Sequence, residues 1–213
     1  MKSRGVAHPT STGEGMLFLR RWLANPLKVG AVLPSSRALA RLVARHTRIG
    51  PDDVVIELGA GTGAVTKALL AARIPAERLY VIEIDADLCA FLRRELPQVQ
   101  VIQGDATRLA EMLPSKLHTK VSTVISGIPM VPMPVAWQKR FIASCFEVMA
   151  PGGRLLQYTY SLVSPLPESK LALMGKREGM TFLNMPPASV WSYVPARMDP
   201  ARMNDADGEQ SGA

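Results

Sequence analysis

Val54-Val55-Ile56-Glu57-Leu58-Gly59-Ala60-Gly61-Thr62-Gly63 is the stretch that decides the fold. Its first five residues are bulky and mostly β-branched, as in a strand buried on both faces. Three alternating glycines then let the backbone turn tightly and approach a ligand with no Cβ in the way. Helical spacing follows from Thr62 to Ala72. Outward from this unit the pattern repeats. Strands are predicted at Leu79–Ile84, Val99–Gln103, Val121–Ser126 and Arg154–Tyr160. Helices are predicted at Ala86–Leu96 and Val135–Met149, with a helix or turn at Ala106–Leu113. Pro151-Gly152-Gly153 reads as a turn. A helix near 168–178 and two short strands near 180–185 and 190–194 complete the pattern. Strands alternating with helices imply an α/β fold, doubly wound about a parallel sheet with right-handed crossovers. The last strand pair adds an antiparallel element at one edge.

The chain has 213 residues, 47% apolar and 20% charged, which suits one globular domain. The net charge of +7 is uneven. Residues 1–50 hold nine Lys or Arg and one acid, Glu14, whereas 51–213 hold sixteen bases and seventeen acids. A basic segment on a near-neutral domain points to an anionic partner, either nucleic acid or anionic lipid. No apolar run is long enough to span a bilayer, and the N-terminus lacks the apolar core of a signal peptide. Cys89 and Cys145 have no neighbouring ligands at metal spacing, so two free thiols in a reducing cytosol and no metal are expected. Residues 1–15 and 196–213 are polar and expected to be disordered. Residues 16–24 suit a short amphipathic helix ended before Pro26. Ser35 or Ser36 caps a second helix to about His46, with Arg37, Arg41 and Arg45 on one face. The expected division is therefore 1–15, 16–49 for the amphipathic helices, 50–195 for the α/β domain, and 196–213.

Two further elements follow the glycine turn in order. Glu83 ends the second strand, where its carboxylate can accept from both hydroxyls of a ribose. Gln103-Gly104-Asp105-Ala106 ends the third; Asp105 can accept an adenine amino group while the Ala106 N–H meets a ring nitrogen. The glycine spacing is not Gly-x-Gly-x-x-Gly, which argues against a nicotinamide dinucleotide. Over residues 50–160 these elements resemble the signature of class I S-adenosylmethionine-dependent methyltransferases. The resemblance implies a Rossmann-like seven-stranded sheet with S-adenosylmethionine as cofactor. The cofactor residues it implies are Glu57, Gly59, Ala60, Gly61, Thr62, Gly63, Glu83, Ile84, Asp105, Ala106 and Ser126. Its methyl sits on a sulfonium, already an excellent leaving group, so the protein mainly has to align a neutral nucleophile.

The fourth strand runs into Ser126-Gly127-Ile128-Pro129-Met130-Val131-Pro132-Met133-Pro134. Amino-methylating relatives have Asn or Asp and an aromatic here; this chain has Ser126 and Met130. A stacking platform for a nucleobase is missing, and the methionines and prolines suggest an adaptable apolar wall. With Phe18-Leu19-Arg20-Arg21-Trp22, Gly30–Ser36, Gln157-Tyr158-Thr159-Tyr160 and Asn184–Trp191, the chain resembles bacterial phospholipid N-methyltransferases. That resemblance implies stepwise methylation of phosphatidylethanolamine towards phosphatidylcholine by a peripheral enzyme on the inner face of the membrane. Leu17, Phe18 and Trp22 suit the headgroup boundary, while Arg20, Arg21 and Lys28 suit anionic phosphates. Ser35, Ser36 and Arg37 form a helix start that could receive the lipid phosphate. Tyr160, with Tyr158 as the alternate, is expected to orient the amine, and the carbonyls of Gly127 and Ile128 to accept from it. An RNA adenine dimethyltransferase is the competing reading, since Val81–Asp85 and Gln103–Ala106 also resemble that family.

Overall fold

The computed structural model describes residues 37–184 and 186–196. The expectations for 1–36 and 197–213 fall outside the described residues, and with them Phe18, Arg20, Arg21, Trp22, Lys28, Ser35 and Ser36. Seven strands form one sheet: β1 (Val54–Leu58), β2 (Leu79–Glu83), β3 (Gln100–Gln103), β4 (Val121–Ser126), β5 (Met149–Thr159), β6 (Leu173–Thr181) and β7 (Ala188–Pro195). Their order is β3-β2-β1-β4-β5-β7-β6. The first five are mutually parallel, and β7 runs antiparallel to both β5 and β6. Thus β6 points the same way as β5. The loops after β1 to β6 all leave the same carboxyl edge.

Both faces are covered. Helices α1 (Arg37–His46), α2 (Ala64–Ala71) and α3 (Ala86–Glu95) bury Leu39, Val43, Val65, Leu69 and Leu92 on one. Helices α4 (Leu109–Met112), α5 (Val135–Val148) and α6 (Glu168–Leu171) bury Leu109, Trp137, Phe141 and Leu171 on the other. Trp137 and Phe141 are one turn apart on α5 and stack at 5.5 Å between centroids. The expected face of Arg37, Arg41 and Arg45 on α1 is exposed. Cys89 and Cys145 are free, buried thiols. Among the described residues no helix is long and apolar enough to cross a membrane.

Two expectations are corrected. β5 begins at Met149, not Arg154. Its register jumps from Val121 opposite Met149 to Thr123 opposite Arg154, so Pro151-Gly152-Gly153 is a bulge inside the strand, with Gly152 at φ +81. Residues 173–181 are a strand, and the helix near 168–178 shrinks to Glu168–Leu171, ended by Ala172 at φ +50. The strands drawn near 180–185 and 190–194 become Leu173–Thr181 and Ala188–Pro195. The buried β7 needs backbone partners on both sides, and tertiary pairing overrides local helical spacing. The same pairing brings Glu178 to α1. It accepts from Arg154 Nη1 at 3.1 Å and from Ser192 Oγ at 2.7 Å, with His46 Nδ1 at 3.6 Å. Arg154 also donates to the His46 carbonyl.

The loop after β4 is held from below. Buried Gln138 of α5 donates through Nε2 to the carbonyls of Met130 (2.9 Å) and Met133 (3.0 Å). Gln138→Leu should cost about 2 kcal/mol of folding stability, because the Met133 carbonyl stays buried without a donor and the Met130 carbonyl keeps only the Met133 N–H. Chemical denaturation checks this; an unchanged midpoint would remove Gln138 from that role.

Candidate functional site

A cleft of about 410 Å³, counting its open mouth, lies at the carboxyl edge where β1, β2, β3 and β4 end. Gly59, Ile82, Glu83, Ile84, Gly104, Asp105, Ala106, Gly127, Ile128 and Trp137 line it. Gly59, Gly61 and Gly63 have φ of +72, +57 and +76, which explains the alternation. Gly63 precedes α2, so the helix starts at Ala64 and not at the expected Thr62, which is exposed.

Glu83 is buried at the end of β2 and organises two loops. Its Oε2 accepts from the Gly61 N–H at 3.0 Å; its Oε1 accepts from those of Ile84 at 2.8 Å and Asp85 at 3.1 Å. A carboxylate has about four acceptor positions, so these bonds leave one for a ligand hydroxyl in this conformation. Taking a second hydroxyl, as the sequence suggests, requires Gly61 to yield its bond. Asp105 accepts from the Thr107 N–H and hydroxyl through Oδ1, at 2.9 and 3.0 Å. That leaves Oδ2 as its oxygen for an adenine amino group.

Glu57 does not line the cleft. It is fully buried beside α2, and Thr66 Oγ1 donates to its Oε2 at 2.7 Å. Its Oε1 is buried with no hydrogen-bond partner among the described residues. Burial pushes its pKa up to about 7, against the Thr66 hydrogen bond and with added repulsion from Glu83. Ser126 is buried too, and its Oγ accepts from the Ile128 N–H at 3.3 Å.

On the acceptor side, Gly127 and Ile128 line the cleft as expected. The Ile128 carbonyl is already engaged: Gln157 Nε2 donates to it at 2.9 Å, and also to the Tyr158 carbonyl at 2.9 Å. Its role as an amine acceptor therefore rests on a second lone pair. Met130 and Met133 are buried core residues, so the expected methionine wall is not on the cleft. The two tyrosines differ. A Cβ on Gly127 would overlap the Tyr158 hydroxyl and stand 2.9 Å from the Gly59 carbonyl, so the tip of Tyr158 rests against a cleft residue. Tyr160, like Tyr158, packs its ring against the α1 to α3 core. Arg37 is exposed on α1 and does not line the cleft. Ile82, Gly104, Trp137 and Gln157 carry no individual site role in the sequence pattern, although Gly104 and Gln157 lie inside its motifs. Trp137 shares an apolar helical stripe with Phe141, which reads as core; an amide inside Leu155-Leu156-Gln157 is the signal for Gln157. The two described histidines stand apart from the cleft, with His118 Nε2 3.1 Å from the Ala110 carbonyl and His46 beside Glu178.

Residues 55–153 match the methyltransferase domain family. The ornithine lipid N-methyltransferase of Singulisphaera acidiphila is 31% identical over 146 residues, covering 67% of this chain and 76% of that protein. The chain belongs to the class I S-adenosylmethionine-dependent methyltransferases. Ribosomal RNA small subunit methyltransferase A of Chlorobium chlorochromatii is 38% identical over 78 residues, 37% of this chain but 28% of that protein. In fold, TrmN from Thermus thermophilus superposes with a TM-score of 0.58 at 14% identity, covering 82% of this chain and 52% of that one. S-adenosylmethionine is the cofactor of this methyltransferase, and the cleft suits it. A Cβ on Gly61 would have open space around it, which leaves room for a ligand at the glycine turn, while Glu83 and Asp105 each keep an acceptor position for it; the unsatisfied Oε1 of Glu57 is buried and off the cleft lining.

Proposed function

We propose that this methyltransferase methylates the amine of phosphatidylethanolamine and of its mono- and dimethyl derivatives, towards phosphatidylcholine, at a membrane surface. The observation that carries the reading is the extent of the lipid relative. Its similarity runs over three quarters of that protein, whereas the ribosomal RNA enzyme matches over 28% of its length. The loop after β4 supports it, because buried Met130 replaces an aromatic and offers no face for a base. The excess of bases in residues 1–50 suits an anionic surface.

When bound, the cofactor supplies a methyl on a positively charged sulfur. The chain holds its ribose at Glu83, its adenine at Asp105 and Ala106, and its amino acid end near Glu57. Once the ammonium has lost a proton to solvent, the Gly127 carbonyl, at the mouth of the cleft, accepts an N–H from the primary or monomethyl amine and turns the nitrogen lone pair towards the methyl. The dimethyl amine, which has no N–H, is placed by contact with the Tyr158 ring. Tyr158, against Gly127, orients that amine, and a phenol ring favours the cationic methylated products. Tyr158→Phe should lower turnover about tenfold with S-adenosylhomocysteine affinity within about twofold of wild type. Tyr160→Phe is the paired control; if it alone lowers turnover, Tyr160 is the orienting residue. The test of the function is transfer of a radiolabelled methyl group, offered in parallel to phosphatidylethanolamine vesicles, ornithine lipid vesicles and ribosomal RNA. Label in RNA alone would replace this reading with RNA adenine methylation.

A further inference from the structure

Among the described residues, six large apolar side chains are more than half exposed: Val131, Leu162, Val163, Met174, Phe182 and Leu183. All but Met174 belong to the loops that follow β4, β5 and β6 at the carboxyl edge. Those loops, 127–134, 160–167 and 182–187, contain no Asp, Glu, Lys, Arg or His, in a chain that is 20% charged. The strands that send them out lie side by side as β4-β5-β7-β6. At about 4.8 Å per strand, the loops leave the edge within roughly 15 Å of one another. The edge is thus divided. The β1-β2-β3 half has the glycine turn, Glu83, Asp85 and Asp105; the β4 to β6 half is apolar and uncharged.

We propose that these three loops form a rim that inserts into the headgroup boundary of a lipid bilayer, around the acceptor side of the methyl-transfer cleft. The proposal rests on the lipid-acceptor reading above and adds where the protein touches the membrane. Large exposed apolar patches mark interaction sites, and three features favour a bilayer as the occupant. The loops adjoin the cleft: Gly127 and Ile128 line it, and Val131 follows in the same loop. A protein seated there would close the mouth through which the acceptor arrives, whereas a bilayer presents it. Cations flank the apolar loops. Arg177 is exposed, with Nη1 3.4 Å from the Leu162 carbonyl, and Lys139 is exposed near the start of α5. The remaining feature is the entry of the chain. Thr123 Oγ1 donates to the Arg48 carbonyl at 2.8 Å, which ties the segment after α1 to the amino end of β4. From there α1 runs back past Gly179, against which Leu42 packs, so Arg37, at the start of α1, lies on the side of the rim. Apolar loops with basic residues beside them fit an anionic interface.

Cys89 and Cys145 are buried, so single cysteines placed on the full chain at Val131, Val163, Phe182 or Met174 take an environment-sensitive dye selectively. Vesicles of phosphatidylethanolamine and phosphatidylglycerol should raise the fluorescence at 131, 163 and 182 at least twofold and leave 174 unchanged. A response at 174 equal to the others, or none at the three rim positions, overturns the proposal. So does a rise that tracks protein concentration without vesicles, which would assign the rim to a second copy. Phe182→Ser with Leu183→Ser should slow methylation of vesicle phosphatidylethanolamine at least tenfold, while a short-chain phosphatidylethanolamine below its micelle concentration is methylated within about twofold of wild type. Equal rates on vesicles for wild type and variant would also overturn it. Failure of wild type to methylate either form would instead sink the acceptor reading, and the dye responses would still decide the docking surface.

Discussion

Glu83→Ala should weaken binding of S-adenosylhomocysteine by about 3 kcal/mol, on the order of 100-fold. The carboxylate acts twice. It offers an acceptor to a ribose hydroxyl, and it fixes the cleft wall by accepting from Gly61, Ile84 and Asp85 N–H groups. Alanine removes both and leaves three N–H donors with only water to accept from them. Glu83→Gln separates the roles. One amide oxygen can still serve Ile84 and Asp85, but the amide nitrogen then faces the Gly61 N–H as donor against donor. An intermediate loss, roughly tenfold, is expected. Calorimetric titration measures both variants, and affinity unchanged in the alanine variant removes Glu83 from the cofactor site.

Glu83 shows which parts of the site were legible in the sequence. It lies at a strand end at a set distance from a glycine turn, and both signals are local. The sheet was legible for the same reason, because β1 to β4 are short, apolar and bounded by turns. Features made by distant pairs were not. Glu178 meets Arg154 and His46 only after β6 has paired with β7, and nothing local in Lys176-Arg177-Glu178-Gly179 announces that contact. The same pairing turned an expected helix into a strand. Met130 and Met133 look in sequence like a loop wall. Gln138, five to eight residues away on the next helix, takes their carbonyls and turns their side chains into the core. The uncharged loops were visible one by one. Their gathering on one half of the edge depends on strand order, since β7 inserts between β5 and β6 and carries the last loop round to the cleft side.

Glu57→Gln should make the cofactor-free protein more stable at neutral pH while weakening its hold on the cofactor. Burial raises the Glu57 pKa from 4.5 to about 7. A carboxyl whose folded pKa lies above its unfolded value binds its proton more tightly in the folded chain. Its contribution is therefore fully present below about pH 4.5 and is lost as pH rises through about 7. The shift corresponds to about 3 kcal/mol lost across that window. Glutamine cannot ionise, and its amide oxygen can keep the Thr66 hydrogen bond. The difference in unfolding free energy between variant and wild type should therefore be small near pH 4.5 and grow to about 3 kcal/mol in favour of the variant by pH 7.5. Comparing the two chains cancels the other titrating groups. Parallel stability profiles from denaturant titrations would show that Glu57 ionises normally in the fold. The cost of a buried charge has a functional counterpart, because an ammonium brought to the unsatisfied Oε1 favours the ionised form. Binding of S-adenosylhomocysteine at pH 7 should then release roughly half a proton per site in wild type and none through this group in the variant. Titration calorimetry in buffers of different ionisation enthalpy reads that proton. Equal release by both chains would place the ligand's amino group away from Glu57.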